Sequence, residues 1–311
     1  MKRVHLHWVM GAFVAAVAAT VLPAQAQQAG FVLFPNAPQL SLFPDLAAKS
    51  ATPLPGDQIF VHPITDPYFH EDSFVSTDLR PAYIYHGFSD HSILDGGEAN
   101  LVAAQVRVAL TDQLQLVAYK DGFMTLHPGL FHADGWNDIA AGLKWEFLQD
   151  ATDQLYAAFG VGYQFPWGES KVLQNKEELR LWGSIDKGFN KLHLGATFNY
   201  FIATGEQGLY GAGDSLSGDV HADYRICDWF SPVVEGNVYH VTSSRHPVLP
   251  IQGADVTDLG DGSSDDVWTV GVGFEVRPCN SLAIRAAYEK NVSHPSDIFD
   301  SRVTVSAVIA F

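Results

Sequence analysis

From Arg80 to Phe311 the chain runs in segments of about ten residues along which apolar and polar side chains alternate one by one, the pattern of a strand with two unlike faces. Between Gly135 and Leu148, the residues Ile139, Ala141, Leu143, Trp145 and Phe147 share one face, while Asp138, Gly142, Lys144 and Glu146 share the other. The next segment puts Leu155, Ala157, Phe159, Val161, Tyr163 and Phe165 together, opposite Tyr156, Ala158, Gly160, Gly162 and Gln164. A period of two does not match the face of a helix. The spacing predicts about twelve strands, over residues 80–88, 98–110, 113–123, 135–148, 154–165, 177–187, 191–203, 215–227, 230–242, 266–276, 281–291 and 301–311.

Short connections at 111–113, 149–153, 188–190, 227–229 and 277–281 alternate with longer ones. Outer-membrane barrels use that asymmetry to separate their two ends. A soluble β-sandwich would share the alternation, but with shorter strands and no reason for aromatics to collect at strand ends. Here Trp145, Phe147, Phe230, Phe274 and Phe311 gather toward the short connections, and Tyr85, Phe123, Trp136, Tyr163, Tyr200 and Trp268 toward the long ones. Two aromatic girdles need two membrane interfaces. The expected fold is all-β: a transmembrane antiparallel up-and-down β-barrel of about twelve strands with an N-terminal extended arm. The last strand ends on Phe311, which resembles the assembly signal of bacterial outer-membrane proteins.

The start of the chain reads as an export signal. Lys2 and Arg3 precede the apolar run Val9 to Leu22, and Ala24, Gln25 and Ala26 form a small-residue cleavage site, so residues 1–26 are expected to be removed. Residues 27–79 carry Pro35, Pro38, Pro44, Pro53, Pro55, Pro63 and Pro67, which block regular strand pairing, interspersed with Phe31, Phe34, Phe43 and Phe60. This arm is expected to dock either in the barrel mouth as a plug or along the periplasmic rim, with the barrel itself over 80–311. Nothing after the signal offers about 18 uninterrupted apolar residues, which excludes a helical inner-membrane protein. Because 35 acidic residues outnumber 18 basic ones, nucleic acid is not an expected partner.

If the apolar faces meet lipid, the opposite faces line the lumen: Arg107, Asp138, Lys144, Glu146, Glu178, Arg180, Asp186, His193, Asp219, His221, Asp223, Arg225, Glu235, Glu275, Arg285, Glu289 and Arg302. An isolated buried charge is costly, so these groups must pair across strands or keep water beside them. They form either a lattice that stiffens the barrel or the wall of a solute path. Asp219, His221 and Asp223 point the same way, but ligands two apart on one strand stand nearly 7 Å from each other. No metal is expected there without help from another strand. The Gly-rich loop from Gly253 to Asp266, with Asp255, Asp258, Asp261 and Asp265, reads as a solvated acidic loop. Cys227 and Cys279 fall in or beside the short turns of neighbouring hairpins, roughly 10 Å apart by strand spacing. A disulfide between them is allowed but not required, since the turns would have to lean together.

The run from Asp66 to Pro81, followed by Tyr83, Tyr85 and His86, and the run from Gly135 to Lys144 resemble bacterial outer-membrane proteins of the meta-pathway phenol-degradation family. In the second run the matching features are Gly135, Asp138, the alternating apolar stretch, Gly142 and Lys144. The resemblance implies a barrel that admits small solutes, including hydrophobic or aromatic ones, and it brings no catalytic residues with it. The expected function is therefore passive uptake through a porin-like channel of the bacterial outer membrane, with no cofactor. Its expected partners are outer-membrane lipid and lipopolysaccharide, the barrel assembly machinery and the solute. The alternatives are a purely structural barrel and a lipid hydrolase resembling the twelve-stranded phospholipases. Such an enzyme needs a Ser beside a His base that a third group orients. His240 is followed by Thr242, Ser243 and Ser244, with Thr242 where that pattern requires Ser, so no catalytic residue is assigned.

Overall fold

Alternating side chains become a closed wall in the computed structural model, which describes residues 60–205, 213–243, 253–255, 257, 266–294 and 298–311. All of these belong to one unit. The export signal, the arm as far as residue 59, Ser244, Asp258, Asp261 and Asp265 lie outside the described residues. The strands are β1 (Asp78–Phe88), β2 (Gly97–Ala109), β3 (Leu114–Lys120), β4 (Phe123–Pro128), β5 (Ala133–Trp136), β6 (Ile139–Asp150) and β7 (Leu155–Phe165). They continue as β8 (Glu178–Phe189), β9 (Leu192–Ala203), β10 (Ser215–Tyr224), β11 (Phe230–Val241), β12 (Val267–Cys279), β13 (Leu282–Asn291) and β14 (Phe299–Ala310).

Each strand pairs antiparallel with its neighbours, and β1 pairs with both β2 and β14, so the sheet closes on itself. The seam runs from Asp78 opposite Ala310 to Phe88 opposite Phe299. Closure leaves no unpaired edge, the requirement for a sheet in lipid. Both β3 and β4 lie against β2, while β6 continues β5, so the fourteen strands build twelve staves. The third stave reaches Pro128, beyond the expected end at residue 123, because the chain kinks at Gly122 without leaving the sheet. Gly122 has φ +117°, and a Cβ there would lie 2.6 Å from the Val102 carbonyl oxygen. Its own carbonyl accepts a hydrogen bond from the Asn137 amide at 2.9 Å, across the matching break in the fourth stave.

The distribution of side chains excludes a sandwich. Trp145 is 53% exposed and its neighbour Lys144 is 0% exposed, and the same inversion recurs along the wall. Val102, Leu143, Phe159, Val161, Ile185, Phe198, Val220, Val234 and Val272 are exposed outside, while Arg107, Arg180, Glu289 and Arg302 are buried inside. A water-soluble protein would bury the first set and solvate the second. Exposed aromatics mark both rims: Trp145, Phe147, Phe189, Trp229 and Phe274 by the short turns, and Phe123, Trp136, Trp167 and Trp268 by the long loops. Toward the long-loop end the interior turns apolar, where Ile84, Phe88, Leu101, Met124, Leu126, Phe201, Val267 and Phe299 form one cluster with Leu94, Leu173 and Ile298 from the loops.

Candidate functional site

Residues 60–77, immediately before β1, run through the barrel interior. This stretch contains Pro63 and Pro67 and makes no strand, so its main-chain groups need partners elsewhere. The inner wall supplies them. Arg180 donates to the carbonyls of Tyr68 and Phe69 at 3.0 and 2.6 Å, Gln105 to that of Pro67 at 2.6 Å, and Arg285 to those of His62 and Pro63 at 3.2 and 3.1 Å. The Thr197 hydroxyl donates to the Glu71 carbonyl. In the opposite sense, the amides of Ile64 and Thr65 donate to Glu235 at 2.9 and 2.6 Å, and that of Ser73 to Asp186 at 2.7 Å.

Side chains of the segment complete the lattice. Lys144 pairs with the Asp72 carboxylate at 3.1 Å and Arg107 with Glu71 at 2.7 Å. Asp72 also takes His62 at 2.7 Å and Arg80 at 3.5 Å, and Arg80 holds Asp78 at 2.7 Å. Tyr68 closes the kink in the third and fourth staves: its hydroxyl donates to the Asp121 carbonyl at 2.9 Å and receives the Asn137 amide at 3.0 Å. Phe60 and Phe74 stack at 5.3 Å, and Phe60 also lies on the His193 ring at 4.3 Å. Glycines make room for these contacts. A Cβ on Gly188 would come 2.7 Å from the Phe60 ring, and one on Gly271 2.5 Å from Thr65.

Between the segment and the wall of β1, β2, β13 and β14 lies a cavity of about 20 Å³, edged by His70, Arg80, Gln105, Arg107, Arg285, Thr304 and Ser306 among others. That is the size of a single water. Arg107 Nε, Arg285 Nε, Thr304 Oγ1 and Ser306 Oγ border it and have no hydrogen bond to protein. Polarity and size therefore suit a hydrated gap, not a dry void.

Of the inward residues read from the sequence, Arg107, Lys144, Glu146, Glu178, Arg180, Asp186, Asp219, His221, Asp223, Glu235, Glu275, Arg285, Glu289 and Arg302 are all buried inside the barrel. Arg225 is the exception: β10 ends at Tyr224, and Arg225 sits half-buried in the turn, with its amide on the Lys191 carbonyl at 2.8 Å. Cys227 and Cys279 are both free thiols, so no disulfide joins their hairpins. Each has a partner within its own turn, Cys227 bridging to Phe230 and Cys279 lying 3.5 Å from Ser281.

Asp219 does not group with His221 and Asp223, because Asn199 draws it away with a hydrogen bond of 3.1 Å. His193, on the adjacent strand, meets Asp223 at 2.6 Å. The acidic loop is not wholly solvated either. Asp255 is buried and takes Arg302 at 2.6 Å through both oxygens, while Glu289 takes the same guanidinium at 2.7 Å. Asp266 stays half-exposed and pairs with His240 at 2.6 Å. The Thr242 hydroxyl donates to the Asp214 carbonyl and that of Ser243 accepts from the Asp214 amide. Gln105, Asn199 and Asn237, uncharged and outside the set read from the sequence, are buried in the same inward rows. Their period-two placement is the sequence signal that marks them.

A closed twelve-stave sheet with lipid-like side chains outside and a charged interior defines an outer-membrane β-barrel. No family model and no curated protein matches the sequence. Among solved structures the chain is similar to an outer membrane channel from Pseudomonas putida F1, with a TM-score of 0.57 and 13% identity over 81% of this chain and 100% of that one. It is also similar to NanC porin, with a TM-score of 0.48 and 12% identity over 76% of this chain and 100% of that one. The KdgM porin in complex with disordered oligogalacturonate gives 0.44 and 11%, over 75% and 99%. The first likeness shows a shared fold.

Proposed function

We propose that this chain is an outer-membrane channel for passive uptake of small solutes, narrowed by its own residues 60–77. The observation that carries the reading is the polar gap of about 20 Å³ left between that segment and a charged wall. Twelve staves lie between the filled eight-stranded barrels and the open sixteen-stranded porins, so a segment threaded through the lumen decides how much of the bore remains. With the segment seated, the gap beside β1, β2, β13 and β14 has room for about one water. Movement of the segment, or of the loops beside it, would set solute passage. The apolar interior at the long-loop end offers a first stop for hydrophobic or aromatic molecules, in keeping with the resemblance to the phenol-degradation family.

In this reading residues 1–26 direct export, residues 27–79 form the arm, and Phe311 is read by the barrel assembly machinery. Outer-membrane lipid and lipopolysaccharide cover the apolar wall. The reading is non-enzymatic: the hydroxyls of Thr242 and Ser243 engage Asp214, and His240 engages Asp266. Single-channel conductance in planar bilayers tests the channel, comparing the full mature chain with a form lacking residues 60–77. The shortened form should conduct several times more. A second form tethers the segment through cysteines replacing Ser73 and Asp186, whose side chains meet at 2.5 Å, and should conduct more once reduced. Equal conductance of all forms would refute the gate.

A further inference from the structure

We infer that His193, His221 and Asp223 form a binding site for one first-row divalent cation of the zinc type. Three observations converge on it. The first is proximity across strands: one donor atom from each residue lies within 4.8 Å of the other two, and all three residues are buried. Asp223 Oδ2 stands 2.6 Å from His193 Nδ1 and 3.0 Å from His221 Nε2. Zinc bonds of about 2.1 Å at tetrahedral angles separate neighbouring donors by about 3.4 Å, so each of the two Asp223 contacts needs to widen by less than about 1 Å to admit the ion. The obstacle of three ligands strung along one strand disappears because His193 comes from β9, directly opposite Asp223 in the register.

The second observation is the outer layer. The other ring nitrogen of each imidazole faces a carboxylate, His193 Nε2 at 2.9 Å from Asp186 and His221 Nδ1 at 2.6 Å from Glu235. Metal-bound histidines are held in this way, with the carboxylate fixing the ring and raising its basicity. Those carboxylates are themselves pinned by the lumen segment, Asp186 by the Ser73 amide and Glu235 by those of Ile64 and Thr65. Gly195 makes the row possible: a Cβ there would lie 2.7 Å from Asp186 Oδ1, which leans across toward His193.

The third is charge. Asp186, Asp223 and Glu235 are buried, and their ionic partners are the two imidazoles. Three buried carboxylates need compensating positive charges. Two ring protons or one dication supply them equally, and an imidazole and carboxylate donor set suits zinc. On binding, the ion takes the place of protons shared with Asp223 Oδ2, which leave to solvent. The bound ion would tie β9 to β10 beneath residues 60–77.

The test uses tag-free mature protein, folded in detergent, stripped with chelator and titrated with Co²⁺ as a spectroscopic probe. One equivalent should bind with visible absorption of a four- or five-coordinate ion, and Zn²⁺ should displace it. His193→Gln and His221→Gln, which keep a polar group, should each lower affinity at least tenfold. Asp186→Asn, which alters only the outer layer, should cost about 10–100-fold. His240→Gln, at the outer rim, should leave binding unchanged. Each variant is checked for the heat-dependent gel shift of a folded barrel. A variant that fails to fold shifts the decision to the wild-type spectrum alone. Absence of that spectrum, or wild-type affinity in a folded His193→Gln and His221→Gln double variant, overturns the site.

Discussion

The ammonium of Lys144, on β6, donates to both the main-chain carbonyl and the carboxylate of Asp72, at 2.9 and 3.1 Å, joining residues 72 positions apart. The first lies in the run from Gly135 to Lys144 and the second in the run from Asp66 to Pro81, which are separate in sequence and touch inside the barrel. A further contact between those runs is the side-chain amide of Asn137 on the Tyr68 hydroxyl. These contacts seat the lumen segment against the wall of β6 and the kink beside it.

Lys144→Met should destabilise the folded barrel by about 3 kcal/mol, because it leaves a buried carboxylate short of a partner. The loss stays at the lower end of the range since His62 and Arg80 still face Asp72. Combining it with Asp72→Asn should cost less than the sum of the two single changes, as expected for residues in contact. Urea midpoints in lipid vesicles measure this, and strict additivity would contradict the contact.

Two adjacent residues on β7 should respond oppositely to size. A Cβ on the inward Gly160 would sit 2.1 Å from the Trp182 ring, so Gly160→Ala forces the ring or the wall to move, at about 1–3 kcal/mol. Val161 points outward, and Val161→Ala should be nearly neutral in lipid. Val161→Arg, near the middle of the strand, should cost about 2–4 kcal/mol through charge in the bilayer. Reversible folding into vesicles compares the three variants.

Removal of Phe311 should lower assembly in cells more than stability once folded. Its ring is exposed and its amide donates to the Thr77 carbonyl at 3.1 Å, so the ring itself is not buried in the folded wall. Comparing the yield of heat-shifted barrel in membranes with the urea midpoint of purified protein separates the two effects. Equal reductions in both would contradict the assembly role.

Both cysteines should react with a small alkylating agent without prior reduction, in protein taken from an oxidising envelope. Cys279 is exposed and Cys227 half-exposed at the turns. Cys279 should therefore react faster. Intact mass before and after labelling reads the outcome, and a peptide linking the two residues would contradict the structure.

Strand number, inward and outward faces, and the aromatic rims were legible in the amino-acid order because each is local. Whether Leu143 faces lipid and Lys144 the lumen depends on alternation along one strand and on the solvent each face tolerates, and both can be read residue by residue. Only the tertiary structure decided which inward groups meet. Lys144 finds Asp72, Arg302 finds Asp255 from a loop expected to be solvated, and His193 completes what Asp219 could not. These pairings depend on the stagger at which twelve staves close and on the path of residues 60–77 through the space they enclose. Closure brings together side chains far apart in sequence, and in a low-dielectric interior each charge must then take the partner that geometry leaves within reach.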